Sequence, residues 1–299
     1  GWSATADASK ITTATGTPNR ISDIELYDLS SNSSATLTNY NADWLSSHET
    51  ACIEKLIYQR DNVDLEAARE KGVTVCNVGG YAANTVPQHT FALILNLATK
   101  AHLYHADVMA GEWARANSFN LLNYPAFELS GLTIGIIGFG TIGRGVARIA
   151  EGFGMRVLAY DIIEIIGSDY TNTDLITIFR ESDFVTVHSP LTDHTRNLID
   201  ADVLSRMKPT AMIINTARGG IVDEKALAAA LNSGRIAGAG FDVLTIEPPV
   251  DGNVLLDAKN VIITPHCAWS ARQARQKLVD ETGENIRAFF AGTPRNVIV

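Results

Sequence analysis

Three cysteines in 299 residues, Cys52, Cys76 and Cys267, are too few and too irregularly spaced for a disulfide framework. The count is odd and no pair has metal-ligand spacing, so the expectation is a reducing, cytoplasmic compartment and no metal. Positive charge is also scarce. Twenty-four Lys and Arg against 33 Asp and Glu leave a formal net charge of −9. That excludes the broad basic face on which nucleic-acid binding rests. It leaves room for an anionic ligand held by a few local arginines. No apolar run approaches the length of about eighteen residues that spans a bilayer. The opening GWSATADASKITTATG has no apolar stretch of signal-peptide length. Neither a membrane nor a nucleic acid is therefore an expected partner. Charged residues are only 19% and hydrophobic residues 46%, enough for one large core or two ordinary ones.

The first forty residues are rich in Ser, Thr, Asn and Ala, and SSNSSA at 30–35 reads as a loop. Short strands are expected at Ile24–Tyr27, Thr36–Thr38 and Lys55–Tyr58, with a helix over 43–53. After Pro87 a long helix is expected out to Gly111. Its first half is apolar on nearly every side, as in a helix buried between two bodies. From Leu132 the texture changes. LTIGII, RVLAY, FVTVH, AMIINTA, IAGAGFDV and VIIT are short runs rich in β-branched or small residues. Helices are expected between several of them, over 141–153, 174–181, 200–207 and 223–232. Asp223 is a candidate N-cap and Gly234 a candidate stop. Buried strands alternating with helices read as a doubly wound parallel sheet. A last helix over 270–290 aligns Leu278, Thr282, Ile286 and Phe289 on one stripe.

Gly138-Phe139-Gly140-Thr141-Ile142-Gly143 follows one of these strands and opens a helix. A lone GxGxxG carries little weight, but this context is the one a dinucleotide needs. Gly138 permits the tight turn, Gly140 lets a pyrophosphate approach the backbone, and Gly143 lets the helix pack on the strand. The helix N-terminus then offers N–H groups and a positive dipole to the phosphates. Asp161 ends the next strand, eighteen residues after Gly143. A carboxylate there binds ribose hydroxyls and repels a 2′-phosphate, and Ile162 and Ile163 follow rather than arginine. NAD is favoured over NADP.

Arg218 in NTARGG, Glu247 in IEPP and His266 in ITPH lie at or near the ends of later strands. Ligands of open parallel sheets bind outside those ends. Singly, each residue has a plain structural reading, as a loop cation, a turn and a strand-end histidine. Together they suit a 2-keto acid. An arginine fork holds a carboxylate with two parallel bonds. A histidine delivers a proton near neutral pH, and a glutamate orients it.

The sequence resembles the D-isomer-specific 2-hydroxyacid dehydrogenase family. The resemblance rests on DNVDLEAAREKGVTVCNVGGY, ELSGLTIGIIGFGTIGRGVARIAEGFGMRVLAYD, SDFVTVHSPLTDHTRNLI, MKPTAMIINTARGGIVDEKALAAALNSGRIAGAGFDVLTIEPP and VIITPHCAW, and covers about residues 53–299. It implies that Arg218, Glu247 and His266 are catalytic. It implies that Asp242 holds the nicotinamide carboxamide and that His188, Pro190 and Thr195 line the cofactor cleft, with Thr216 and Ala217 beside them. Arg218, Val78, Gly79 and Trp269 are the implied substrate contacts. The implied fold is α/β with two Rossmann-like domains, the cofactor domain (99–270) inserted in the substrate domain (1–98 and 271–299). A homodimer is implied as well. Within the family, GEWARANSFNLLNYPAFELSG and ITPHCAW look most like glycerate dehydrogenases, also called hydroxypyruvate reductases. D-lactate, a branched keto acid or 3-phosphoglycerate stay open as substrates, and so does a non-catalytic NADH-sensing role.

The chain departs from the family just before DNVD. The family places a glycine-bearing loop there that helps hold the substrate carboxylate; here the text is KLIYQRDNVD, with Arg60 in its place. His102 and His105, one helical turn apart, read as a solvated face rather than a metal pair. His89 reads as packed at a helix start. Cys267 reads as a small buried hydrophobe beside His266.

Overall fold

The computed structural model describes residues 63–166 and 169–299, with the backbone of four short strands before them. Those strands are β1 (Trp2–Ser3), β2 (Glu25–Asp28), β3 (Ser33–Thr36) and β4 (Ile53–Glu54). The chain divides into two compact units, residues 1–81 with 272–299, and residues 82–271. The first boundary falls at 82 rather than at 99, because the helix that follows packs its apolar residues on the sheet of the second unit.

In the first unit, β1, β2 and β3 form an antiparallel sheet. The segment expected to be a loop at 30–35 thus supplies part of an edge strand, a place where polar residues are tolerated because only one neighbour is paired. The expected helix over 43–53 lies outside the described residues, except Ile53 in β4, and so does the expected strand over 55–58. Helix α1 (Leu65–Glu70) is capped by the Asp64 carboxylate, which accepts from Ala67 N at 2.8 Å. Strand β5 (Val75–Cys76) pairs with β4 in parallel and also with the chain terminus, where Val75 N donates to Val299 O at 2.9 Å.

The second unit begins with α2 (Thr85–Thr99), α3 (Ala101–Met109) and α4 (Glu112–Arg115). The single long helix of the sequence reading is broken at Lys100, which adopts φ 56°. Apolar burial explains the break. Leu93, Ile94, Leu97 and Ala98 anchor α2 in the core, whereas α3 buries nothing, so no packing holds it in line.

The sheet of this unit contains β6 (Thr133–Ile137), β7 (Arg156–Tyr160), β8 (Phe184–Val187), β9 (Met212–Asn215), β10 (Gly238–Phe241) and β11 (Val261–Ile263). All neighbours are parallel, in the order β11-β10-β9-β8-β6-β7. The order reverses at β6, which has β7 on one side and β8 on the other. Helices α5 (Thr141–Gly152), α6 (Leu175–Glu181), α7 (Ala201–Arg206) and α8 (Glu224–Asn232) link the strands. Asp174, Asp200 and Asp223 cap the last three through side-chain oxygens.

Two-residue alternation assigns the strand residues to two cores. Ile134, Ile136, Phe184, Met212 and Ile214 pack under α2 and α5. Ile137, Val185, Val187, Ile213 and Phe241 pack under α6, α7 and α8 on the other face. That is the doubly wound arrangement expected from the runs of apolar residues. Gly145 on α5 brings that helix against α2, since a Cβ there would lie 2.7 Å from Pro87 Cγ. The last helix, α9 (Arg272–Phe290), belongs to the first unit. Its Asn285 is fully buried and donates to Asn77 O at 3.0 Å. Among the described residues, no helix is long and apolar enough to cross a membrane.

Candidate active site

Six strands ending on one side place six loops along a single edge of the second unit. Gly138 leaves β6 with φ 91°, and a Cβ there would lie 2.7 Å from the His188 carbonyl carbon. Phe139 N donates to Asp161 Oδ2 at 2.7 Å and Ile163 N to Oδ1 at 3.1 Å. Asp161 thus ties the glycine loop to the end of β7, a role the sequence did not suggest. Each oxygen keeps a second lone pair with which to accept from a ribose hydroxyl. Gly140 faces open space, with nothing within 4 Å of a Cβ built on it. Gly143 is the opposite case, because a Cβ would collide with the Gly138 carbonyl oxygen. Thr141 is exposed and Ile142 half-buried at the α5 N-terminus. An open glycine, a close-packed glycine and a helix start together fit a dinucleotide pyrophosphate.

His188 follows β8. Its Nε2 is 2.8 Å from Thr186 Oγ1, while its buried Nδ1 has no hydrogen-bond partner among the described residues. Burial pushes this imidazole down to about 3, so it stays neutral at physiological pH. Thr195 fixes the next loop by donating to Pro190 O at 2.7 Å and accepting from Thr192 N at 2.7 Å. Thr216 is buried with its hydroxyl 3.1 Å from Thr90 Oγ1, and Ala217 N donates to Asn215 Oδ1 at 3.0 Å.

Arg218, Glu247 and His266 follow β9, β10 and β11, three adjacent strands. Asn215 holds the Arg218 turn by donating from Nδ2 to Arg218 O at 2.8 Å. Gly219 is pressed onto the Leu244–Thr245 peptide, where any side chain would collide. That contact brings the arginine loop against the loop carrying Glu247. Glu247 Oε1 accepts from Leu244 N at 2.7 Å, and Oε2 meets His266 Nδ1 at 2.6 Å. Both side chains are about three-quarters buried, with 24% and 22% exposure. A carboxylate at Nδ1 places a proton on that nitrogen and fixes the orientation of the ring. His266 adopts φ 51°, a conformation disfavoured for L-residues. Bonds from its N–H to Asp242 O at 2.7 Å and from Trp269 Nε1 to its carbonyl at 2.9 Å hold it there.

Asp242 is 1% exposed and forms a hub at the end of β10. It accepts from Thr264 Oγ1 at 2.5 Å, Cys267 N at 2.9 Å and Ala268 N at 2.8 Å. His89, on α2, lies 2.9 Å from Thr264 Oγ1 and 3.5 Å from Asp242 Oδ1. Burial and the Asp242 carboxylate push the Cys267 thiol up from its ordinary value. His89 and Cys267 therefore join a polar cluster that sequence reading assigned to plain packing. Helical phase at residue 89 gave no hint of it, because the partners are more than 150 residues away. Val78 and Gly79 follow β5 in the other unit, half-buried and exposed. Arg60 lies outside the described residues. His102 and His105 are exposed on α3.

The family described as "D-isomer specific 2-hydroxyacid dehydrogenase, NAD binding domain" matches residues 91–268, more than half of the chain. The chain belongs to this family. Its second unit is the family's NAD-binding domain, and the protein is an oxidoreductase acting on a CH–OH group. A glycerate dehydrogenase of Methylorubrum extorquens is 47% identical over 240 residues, 80% of this chain and 75% of that one. A hydroxypyruvate reductase of Blautia hydrogenotrophica is 36% identical over 79% of this chain and 74% of its own. Among solved structures, an NADPH-dependent glyoxylate/hydroxypyruvate reductase of Sinorhizobium meliloti, with NADP and malonate, superposes with TM-score 0.76. It is 31% identical and covers 83% of this chain and 77% of its own.

Proposed function

We propose that this dehydrogenase reduces hydroxypyruvate, and glyoxylate as well, to D-glycerate and glycolate with NADH. The observation that carries the reading is the 2.6 Å bond between His266 Nδ1 and Glu247 Oε2 at the carboxyl edge of a dinucleotide-binding sheet. The names of the relatives support the substrate class. Bound NADH supplies the hydride. Arg218 anchors the substrate carboxylate and polarises the keto carbonyl. His266 delivers a proton from Nε2 to the carbonyl oxygen as the keto carbon is reduced, and Glu247 stabilises the ring in that orientation. In the reverse direction neutral His266 removes the hydroxyl proton. Gly140, Thr141 and Ile142 receive the pyrophosphate, Asp161 the adenosine ribose and Asp242 the nicotinamide carboxamide. His188, Pro190, Thr195, Thr216 and Ala217 form the walls of that cleft. Trp269 borders the substrate.

Asp161 favours NADH over NADPH because a carboxylate repels a 2′-phosphate. Exposed Met109, Trp113, Phe119 and Leu122 support association of two chains through the second unit. The odd cysteine count supports a reducing compartment, the cytoplasm; a cell extract in which all three thiols are labelled without reductant checks it. The deciding experiment is a panel of hydroxypyruvate, glyoxylate, pyruvate, a branched 2-keto acid and 3-phosphohydroxypyruvate, each with NADH and NADPH. The highest kcat/KM is expected for hydroxypyruvate with NADH. Preference for another acid corrects the substrate. NADH binding without turnover on any of them favours a sensing role.

A further inference from the structure

His89, Asp242 and Cys267 come from three separate parts of the chain, yet their ligating atoms all lie within 4.8 Å of one another. We propose that His89 Nε2, Asp242 Oδ1 and Cys267 Sγ bind a soft divalent cation, zinc or cadmium, and that the bound cation excludes NADH. The donor set is right for such an ion, since imidazole and thiolate select it over hard cations. The geometry is close as well. Bonds of about 2.0 Å in a tetrahedral site put neighbouring ligand atoms roughly 3.3 Å apart. His89 Nε2 and Asp242 Oδ1 are already 3.5 Å apart.

Asp242 Oδ1 takes the ion in exchange for one of its present donors. A carboxylate offers about four acceptor positions. Thr264 Oγ1 and Cys267 N fill both positions on Oδ1 and Ala268 N takes one on Oδ2, so the ion takes the place of the Thr264 hydroxyl on Oδ1. Cys267 Sγ lies within 4.8 Å of this carboxylate. Cation binding breaks the S–H bond of Cys267, forms a sulfur–metal bond and releases the proton to solvent. The bonds of Thr264 Oγ1 to His89 Nε2 and to Asp242 Oδ1 are given up in exchange for the metal bonds. Access exists through His89, whose side chain is 21% exposed, and through half-buried Cys267. A fourth position is left for water. Exclusion of the cofactor rests on the assignment of Asp242 to the nicotinamide carboxamide: the same oxygen cannot serve both.

The test titrates the intact apo protein with cadmium, following thiolate-to-metal charge-transfer absorption, then measures NADH affinity by fluorescence with zinc absent and saturating. One cadmium per chain is expected, with release of one proton. Cys267→Ser abolishes the absorption, and His89→Gln weakens binding by about 100-fold, at least the loss seen for metal-supporting groups. Saturating zinc weakens NADH binding at least tenfold, and the zinc effect disappears in Cys267→Ser. Absence of the absorption in the wild-type chain overturns the site, as does its persistence in Cys267→Ser. Unchanged NADH affinity in zinc overturns the exclusion. Failure to bind NADH at all, with cadmium binding intact, overturns the cofactor reading and leaves the cation site standing.

Discussion

At the scale of single residues, the side chains at the edge of the sheet divide by how they are held. His266 and Glu247 fix each other, and the loop backbone holds His266 in a conformation that an isolated chain avoids. His188 is held by the contact of its Nε2 with Thr186 Oγ1 and by the burial of its ring. Its folded value of about 3 lies below the unfolded 6.5, so the unfolded chain binds a proton that the folded chain refuses. Stability from this group is complete above about pH 6.5. It falls as acid is added through the window down to about 3, by at most about 1.4 kcal/mol per pH unit. Denaturant unfolding at pH 7, 6 and 5 is expected to show this slope, and His188→Gln is expected to flatten it. An equal slope in the variant assigns the acid sensitivity to other groups.

At the scale of elements, the strand–glycine loop–helix unit from β6 through α5 sets the cofactor edge. Its three glycines are not equivalent. Ala at position 140 enters space the protein leaves open, whereas Ala at 143 meets a backbone carbonyl. Gly140→Ala is expected to leave the thermal midpoint unchanged while weakening NADH binding at least tenfold. Gly143→Ala is expected to destabilise the fold by about 1–3 kcal/mol, the usual range for overpacking. Calorimetry with and without NADH separates the two. The strands of this unit were legible because each is a short run of mostly apolar or small residues, and the inner four are buried throughout. RVLAY became a strand end to end, and Asp174, Asp200 and Asp223 cap helices at the expected starts. The break at Lys100 was not legible, because a polar helix face reads the same whether or not it continues straight. Helix α1 and strand β5 were missed because six and two residues give too little periodicity.

At the scale of the whole molecule, linear motifs located three strand ends and a glycine loop, and the parallel order of the sheet placed their loops on one edge. The His89–Asp242–Cys267 cluster could not be read from spacing, because its members meet only through folding. The exposed apolar residues on and after α3 have no partner in sequence logic either, yet Phe119 and Leu122 are 88% and 81% exposed. Analytical ultracentrifugation is expected to give twice the chain mass, and a double Phe119→Asp, Leu122→Asp variant to give a monomer. A monomeric wild-type chain contradicts the proposed association.

The central claim is that His266, oriented by Glu247, supplies the proton in keto-acid reduction. Its most direct test is NADH oxidation with hydroxypyruvate by the wild-type chain and by His266→Ala, with NADH affinity measured beside it. A fall in kcat of about 10²–10⁴-fold, with cofactor affinity retained, is the result predicted for loss of a general acid. Turnover by the variant at the wild-type rate would contradict it.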